Sequence, residues 1–110
     1  MTIARVWHGA VPKAKSAEYL EYVKKTGMRD YARTPGNQGA TIWMREDRKK
    51  AEFLVVSYWK SMGAIKKFAG EDTEKARYYP KDADFFLEFE PRVKHYNIAF
   101  EVANRETRRT

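Results

Sequence analysis

The chain has 110 residues and a mass of 12.9 kDa, which suits one domain with a hydrophobic core and excludes a second domain. It contains no cysteine, which excludes disulfides, thiol catalysis and thiolate metal sites and is typical of the reducing cytoplasm. The formal net charge is +7, but basic and acidic residues alternate, as in REDRKKAE and EDTEKAR, which argues against nucleic-acid binding. No apolar run approaches the ~20 residues that span a bilayer, so we expect a cytoplasmic protein without membrane contact.

The N-terminal third predicts a strand followed by a helix. Residues 2–10, TIARVWHGA, alternate as a strand does, with Arg5 and Trp7 on one face and His8 on the other. From residue 13 to about residue 32, apolar residues recur at three- and four-residue steps, which predicts an amphipathic helix. The turn-forming sequence TPGNQG ends that helix.

The middle of the chain predicts a hairpin and a second helix. Residues 40–46 and 51–59 have the composition of strands and flank the charged turn EDRKK, so we expect them to pair antiparallel. Residues 61–69 are expected to be helical, with Ser61 as the N-cap and Gly70 just past the end.

The C-terminal third predicts short elements and a tail. Residues 72–79 and 81–90 are each expected to form a helical turn, and residues 92–102 the last strand. The basic end of the chain, residues 103–110, has no apolar period and is expected to be flexible. The domain therefore spans residues 1–102.

The order of the predicted elements defines the fold class. Strand, helix, strand, strand, helix, strand is the βαββαβ order of ferredoxin-like α+β folds, an antiparallel sheet with both helices on one face. The third strand is apolar on both of its faces, Phe53, Val55 and Trp59 pointing one way and Leu54, Val56 and Tyr58 the other. Because a two-layer monomer has a polar outer sheet face, a second sheet from a twin subunit is expected to cover this one. The sequence thus predicts a homodimer.

Three motifs in this order resemble a known family. They are ARVWHG near the start, Tyr58-Trp59-Lys60-Ser61 leading into the second helix, and HYNIAF in the last strand. Over about residues 2–102 the chain resembles an uncharacterised bacterial subset of the antibiotic-biosynthesis-monooxygenase-like branch of the dimeric α+β barrel superfamily. The resemblance implies a dimeric α+β barrel in which each protomer keeps a small-molecule cavity between sheet and helices. Members of the superfamily include cofactor-independent oxygenases of phenols and quinols, haem-degrading enzymes and lactone isomerases.

The haem-degrading branch can be compared residue by residue. The position that resembles its haem-ligating histidine is Tyr78, and those that resemble a haem-contacting tryptophan and a first-strand asparagine are Phe68 and Trp7. Tyrosine can ligate haem iron, but all three positions depart from the pattern. The resemblance therefore favours a protein without a cofactor.

The two histidines are candidates for proton transfer. In the predicted topology the first and last strands are antiparallel neighbours, so His8 and His95 are expected to approach each other, and an imidazole titrates near neutral pH. A sheet histidine that only hydrogen-bonds a neighbour is the competing interpretation. No acidic residue lies within two positions of either histidine, so a metal site, which needs three or four ligands, is not expected.

Aromatic residues and one arginine are candidates for substrate binding. Trp7, Trp59, Phe68 and Tyr79 could contact a small aromatic or hydrophobic ligand, although Trp59 and Phe68 are expected chiefly to close the core. Tyr78 brings a hydroxyl that could hydrogen-bond a substrate oxygen. Arg5 could bind an anionic substrate, and an ion pair with an acid of the dimer mate explains it equally well.

These candidates combine into one functional hypothesis and one alternative. We expect a cofactor-independent monooxygenase of an aromatic or quinol substrate, in which His95 or His8 removes a proton so that the substrate anion can pass an electron to oxygen. The alternative is a non-catalytic ligand-binding or stress-associated dimer. RNA-recognition domains share the element order, but the third strand lacks their Gly- and aromatic-rich signature.

Overall fold

Five strands form one antiparallel sheet in the computed structural model, which describes residues 2–102. The predicted tail, residues 103–110, lies outside the described residues. The sheet order is β2-β3-β1, and β4 and β5 both pair with the remaining edge of β1. The strands are β1 (Ile3–Pro12), β2 (Asn37–Glu46), β3 (Lys50–Trp59), β4 (Glu88–Phe89) and β5 (Lys94–Asn97). The predicted hairpin is confirmed, since β2 and β3 pair antiparallel along most of their length.

Helices lie on one face of this sheet, which confirms the predicted ferredoxin-like α+β class. They are α1 (Ser16–Lys25), α2 (Gly27–Arg33) and α3 (Met62–Ala69), with short 3-10 helices at Lys13–Lys15 and Asp82–Asp84. The predicted first helix is thus divided, because Thr26 leaves helical geometry with φ −112° and ψ −90°. Its hydroxyl donates to the Tyr22 carbonyl at 2.8 Å, the local bond by which threonine competes with a helix.

The second of the two predicted helices is α3, and it begins and ends where the sequence predicts. The Ser61 hydroxyl accepts from the Ala64 backbone N–H at 3.1 Å and so caps α3. Gly70 follows the helix with φ +89°, a conformation that favours glycine.

The C-terminal third differs most from prediction. Residues 72–79 are not helical, because their backbone bonds elsewhere: Ala76 N–H donates to the Pro91 carbonyl at 3.0 Å, and Lys75 forms a bridge with Arg92. Residues 81–90 contain a 3-10 turn and then the short strand β4. The last strand is shorter than predicted, since Asn97 pairs with Ile3, where β1 itself begins. We call residues 71–92 the covering segment, because they cross the helix-side face of the sheet.

The outer face of the sheet carries apolar side chains, as predicted from β3. Strand pairing brings the following apolar side chains together on this outer face: Val6, Trp43, Leu54, Tyr58 and Tyr96. Trp43 and Tyr96 are 53% and 54% exposed, so no described element covers this surface. No helix in the described part of the chain is both long and apolar enough to cross a membrane.

Candidate functional site

A cavity of about 50 Å³ lies between the sheet, the first two helices and the covering segment. Its wall is largely aromatic, with charged groups at intervals. The side chains that matter chemically are Arg5, Trp7, Phe68, Tyr78, Tyr79 and Asp82. A concave site with a few convergent polar groups is where small molecules usually bind.

Arg5 brings a buried charge to this wall. Its side chain is 2% exposed, and its guanidinium donates to the carbonyls of Thr73 and Lys75, the latter at 3.0 Å. Among residues 2–102 no carboxylate lies within ion-pair distance of it. Desolvation lowers the pKa of Arg5, but a guanidinium remains charged in proteins. The cavity therefore has a cation that no described acid neutralises.

His95 lies beside Arg5 and not in the cavity wall. The two residues are direct partners across β1 and β5, and His95 Nε2 is 3.2 Å from an Arg5 terminal nitrogen. Burial, and then the guanidinium, lower the pKa of His95. The imidazole is thus neutral at pH 7 and Nε2 accepts the arginine proton.

His8 lies on the opposite face of the sheet, so the predicted approach of the two histidines is wrong. Partners across antiparallel strands share a face, and His8 is an odd number of residues from Arg5 along β1. On the outer face its ring nitrogens are 3.9 Å from Glu52 and 3.6 Å from Glu90.

Trp7 and Tyr78 form a hydrogen-bonded aromatic pair at the cavity. The Trp7 indole N–H donates to the Tyr78 hydroxyl at 2.9 Å, and that hydroxyl donates to the Glu90 carbonyl. Burial raises the pKa of Tyr78, so it is a neutral phenol at physiological pH.

Tyr79 holds the covering segment against α2. Its hydroxyl donates to Asp30 at 2.5 Å, and Arg77 lies 3.3 Å from the same carboxylate. Arg77 also donates to the Phe68 carbonyl at 3.0 Å and stacks over that ring at 4.8 Å. The middle of the covering segment makes few backbone hydrogen bonds. These side-chain contacts therefore hold it closed.

Asp82 is a site residue that sequence reasoning missed. It lies in the 3-10 turn of the covering segment, is 6% exposed and accepts from the Tyr79 backbone N–H at 2.5 Å. Desolvation raises the pKa of this carboxyl. The sequence KDADFF gives no periodic signal that would distinguish it from exposed Asp84. A buried carboxylate of raised pKa in a cleft is a typical proton acceptor.

Trp59 belongs to the core and does not line the cavity. It is 0% exposed, its indole donates to the Ser57 hydroxyl at 2.8 Å, and its ring packs on Tyr31 and Phe68. Of the predicted site residues, the structure brings five together at the cavity, namely Arg5, Trp7, Phe68, Tyr78 and Tyr79.

A five-stranded antiparallel sheet that closes a cavity beneath helices defines a ferredoxin-like α+β protein, and solved structures of this class match nearly the whole chain. A proposed antibiotic biosynthesis monooxygenase from Bacillus cereus is similar over 94% of this chain and 98% of its own, with TM-score 0.68 and 14% identity. Another from Nitrosomonas europaea covers 93% and 94% of the two chains, with TM-score 0.62 and 18% identity.

The haem degrader MhuD of Mycobacterium tuberculosis, determined with two haems in its active site, covers 92% of this chain and 99% of its own, with TM-score 0.56 and 15% identity. No family model and no curated protein matches the sequence. The chain therefore has the fold of the antibiotic-biosynthesis-monooxygenase-like proteins, which confirms the predicted resemblance at the level of the fold.

The residues at the cavity do not fit haem. Tyr78, at the position that resembles the haem ligand, uses its hydroxyl in two hydrogen bonds, and its raised pKa opposes the phenolate that would bind iron.

Gly9 keeps the Trp7 ring in the cavity wall. A Cβ atom at Gly9 would lie 2.2 Å from Trp7 Cη2 and 2.6 Å from Cζ2, well inside van der Waals contact. We expect Gly9→Ala to lower the free energy of unfolding by about 1–3 kcal/mol, as overpacking does, and to shift the Trp7 indole resonance. Urea unfolding and a nitrogen–proton NMR spectrum measure the two effects.

Gly63→Ala is the matched control, because the nearest heavy atom to its Cβ would be Ser61 Oγ at 3.6 Å. Within α3 this change is expected to be neutral or to stabilise by up to about 1 kcal/mol. Equal effects of the two substitutions would contradict the packing of Trp7 over Gly9.

Proposed function

We propose that the protein is a cytoplasmic homodimer that binds a small aromatic molecule in the helix-side cavity and oxygenates it without a cofactor. The observation that carries this proposal is the buried Asp82 carboxyl, whose pKa is raised, beside a wall of Trp and Tyr rings. The fold supports the proposal only as an analogy, because one fold serves many reactions.

The chemistry needs a base and a substrate that is itself the reductant. Asp82 would take a proton from a phenol or quinol, and the resulting anion would pass one electron to O₂. The two radicals would join at a ring carbon that bears hydrogen, and the resulting peroxide anion would take back the proton held by Asp82. The hydroperoxide would then lose water, its outer oxygen leaving with that ring hydrogen, and a carbonyl would remain on the ring. One oxygen atom ends in the ketone product and the other in water, so the electrons balance without an external donor.

Of the other predicted catalytic residues, His95 is the second candidate for the base. Its Nε2 already accepts from Arg5, and a proton there would place two positive charges side by side. Tyr78 would orient the substrate by ring contact, because its hydroxyl already accepts from the Trp7 indole and donates to the Glu90 carbonyl. His8 faces Glu52 and Glu90 on the outer surface, and no geometry supports a role for it in the cavity.

Substrate entry would require the covering segment to move. A cavity that admits benzene is about 150 Å³, whereas this one is about 50 Å³. The contacts of Tyr79 and Arg77 with Asp30 are side-chain contacts that can open without breaking the sheet. We propose that this part of the covering segment is the entrance.

Oxygen uptake tests the proposal and separates it from the alternative. The purified protein would be screened against electron-rich phenols and quinols, with oxygen consumption and ligand binding followed in parallel. Oxygen uptake that depends on both substrate and protein is the expected result. Tight binding without oxygen uptake would favour the non-catalytic ligand-binding dimer, and absence of both would contradict the proposal.

The outer sheet face supports the homodimer. Its apolar side chains are left uncovered by the described part of the chain. Of its charged residues, Glu52 and Lys50 lie at one end, and Lys94 lies opposite Val6 on the edge strand β5. An exposed apolar patch usually marks an interface, and a second copy of the same sheet face would cover it. The cavity lies on the other side of the sheet and stays accessible.

Leu54→Lys is expected to convert the dimer into a monomer. Leu54 lies on the outer face of the central strand β3, and a lysine there would bury an unpaired charge in each half of the interface. Sedimentation velocity measures the change. Ala17→Lys, which adds the same charge at an exposed position of α1, is the control and is expected to stay dimeric. A dimeric Leu54→Lys variant would exclude this face as the interface.

A further inference from the structure

The buried guanidinium of Arg5 has donors to spare. An arginine carries five N–H donors, and those of Arg5 reach three acceptors: the Thr73 carbonyl, the Lys75 carbonyl and His95 Nε2. The Nε–H and one terminal N–H therefore have no acceptor among residues 2–102. Arg5 lines the cavity and is 2% exposed, and no fully buried side-chain nitrogen of the described residues lacks a partner, so water or a ligand in the cavity is what these donors can reach.

The charge of Arg5 also lacks a partner. The other arginine of the cavity wall, Arg77, lies 3.3 Å from the Asp30 carboxylate, whereas Arg5 has only neutral acceptors and the Phe68 ring, 5.7 Å away. A buried charge without a counterion is costly. A carboxylate of the dimer mate is poorly placed to supply one, since Arg5 is on the helix-side face and the proposed interface is on the outer face.

The backbone around Arg5 fixes its orientation. Two carbonyls of the covering segment and the neutral His95 ring hold the guanidinium plane against the sheet. A fixed guanidinium presents its N–H groups as a planar fork that matches the two oxygens of a carboxylate. A carboxylate group, unlike an aromatic ring, is small enough for the cavity of about 50 Å³.

We infer that Arg5 forms a subsite for one carboxylate group of the ligand, so that the substrate is an aromatic carboxylic acid. The inference rests on the proposed function of the cavity and narrows its substrate class. The carboxylate would bind at Arg5, and once the contacts of Tyr79 and Arg77 with Asp30 open, its ring would lie toward Trp7 and Tyr78. The ring would then lie on the side of Asp82, the proposed base.

A pair of probes of similar shape tests the subsite: benzoate, which is charged, and benzyl alcohol, which is neutral. The chain has three tryptophans, and the Trp7 indole signal, identified with Trp7→Phe, reports on cavity binding by NMR. We expect benzoate to bind about 10-fold tighter or more than benzyl alcohol, since charge-assisted bonds in a buried site are strong. In Arg5→Gln the preference is expected to fall below about 3-fold.

Arg92→Gln is the matched control, because Arg92 lies on the covering segment, is exposed and pairs with Asp72 at 2.9 Å. It is expected to keep the full preference for benzoate. If Arg5→Gln does not fold, Arg5→Lys retains the charge without the planar fork and is expected to show a reduced preference.

The outcomes separate the subsite from the function on which it rests. Equal binding of both probes at Trp7 in the unmodified protein would overturn the carboxylate subsite and leave the cavity as an aromatic site. An unchanged preference in the Arg5 variants would likewise overturn the role of Arg5. A Trp7 signal that neither probe shifts would overturn both the subsite and the proposed ligand cavity.

Discussion

Asp82→Asn is expected to lower substrate-dependent oxygen uptake by about 10²–10⁴-fold, the usual contribution of a general base. Asparagine has the same shape and can still accept the Tyr79 N–H bond, but it cannot take a proton. The rate measured with an oxygen electrode should therefore fall while the binding of the substrate stays close to that of the unmodified protein.

The pH dependence of the reaction gives a second readout for Asp82. A carboxylate acts as a base only above its pKa, so the rate is expected to fall as the pH drops through the raised pKa of Asp82. Because the raised pKa means that burial disfavours the charged form, folding gains from Asp82 at low pH and loses as the pH rises. Asp82→Asn should accordingly not reduce the free energy of unfolding at neutral pH, which separates lost catalysis from lost structure.

Asp84→Asn is the matched control for this prediction. Asp84 is an exposed carboxylate in the same 3-10 helix and does not line the cavity. It is expected to leave oxygen uptake unchanged. If Asp82→Asn retains full activity and His95→Gln does not, the base is His95, and the assignment of the proton acceptor to Asp82 is wrong.

Trp59→Ala is expected to lower the free energy of unfolding by about 3–5 kcal/mol, the cost of removing a large buried ring and leaving a cavity. Trp59 is fully buried between β3 and α3, and its ring packs 5.7 Å from Phe68 and 6.0 Å from Tyr31. The variant also leaves Ser57 without its indole partner. Urea unfolding followed by far-UV circular dichroism measures the loss.

Trp43→Ala compares the same substitution on the outer face, where Trp43 is 53% exposed. In a monomer, Trp43→Ala should lower the free energy of unfolding much less than Trp59→Ala does. In a dimer, the loss of unfolding free energy should depend on protein concentration, because folding and association are then linked. A loss at Trp59 no larger than that at Trp43 would contradict the position of Trp59 in the core.

The first three strands, the hairpin and the cap of α3 could be predicted because each depends on local chemistry. Alternation predicts β1, strand-forming composition predicts β3, a charged turn joins β2 to β3, and Ser61 lies next to the helix that it caps. The covering segment could not be predicted in this way. Its backbone is held by Arg5 and by the Pro91 carbonyl, contacts between residues far apart in sequence.

The candidate site likewise combines features that local sequence predicts with features that only tertiary packing decides. Arg5 and Trp7 were predicted to share a face of the first strand, and that face proves to border the cavity. Trp59 lies on the same face, and only the packing of α3 and Tyr31 decides that it is core. The separation of the two histidines depends on strand register, and a one-residue shift would reverse it.

The most direct test of the account is a native mass spectrum of the purified protein, alone and with an aromatic carboxylate. In the proposed molecule, one face of the sheet encloses a ligand cavity while the other pairs with a second copy. The expected result is a dimer of about twice 12.9 kDa that carries up to one small molecule per protomer. A monomer that takes up no ligand would contradict both halves of the account.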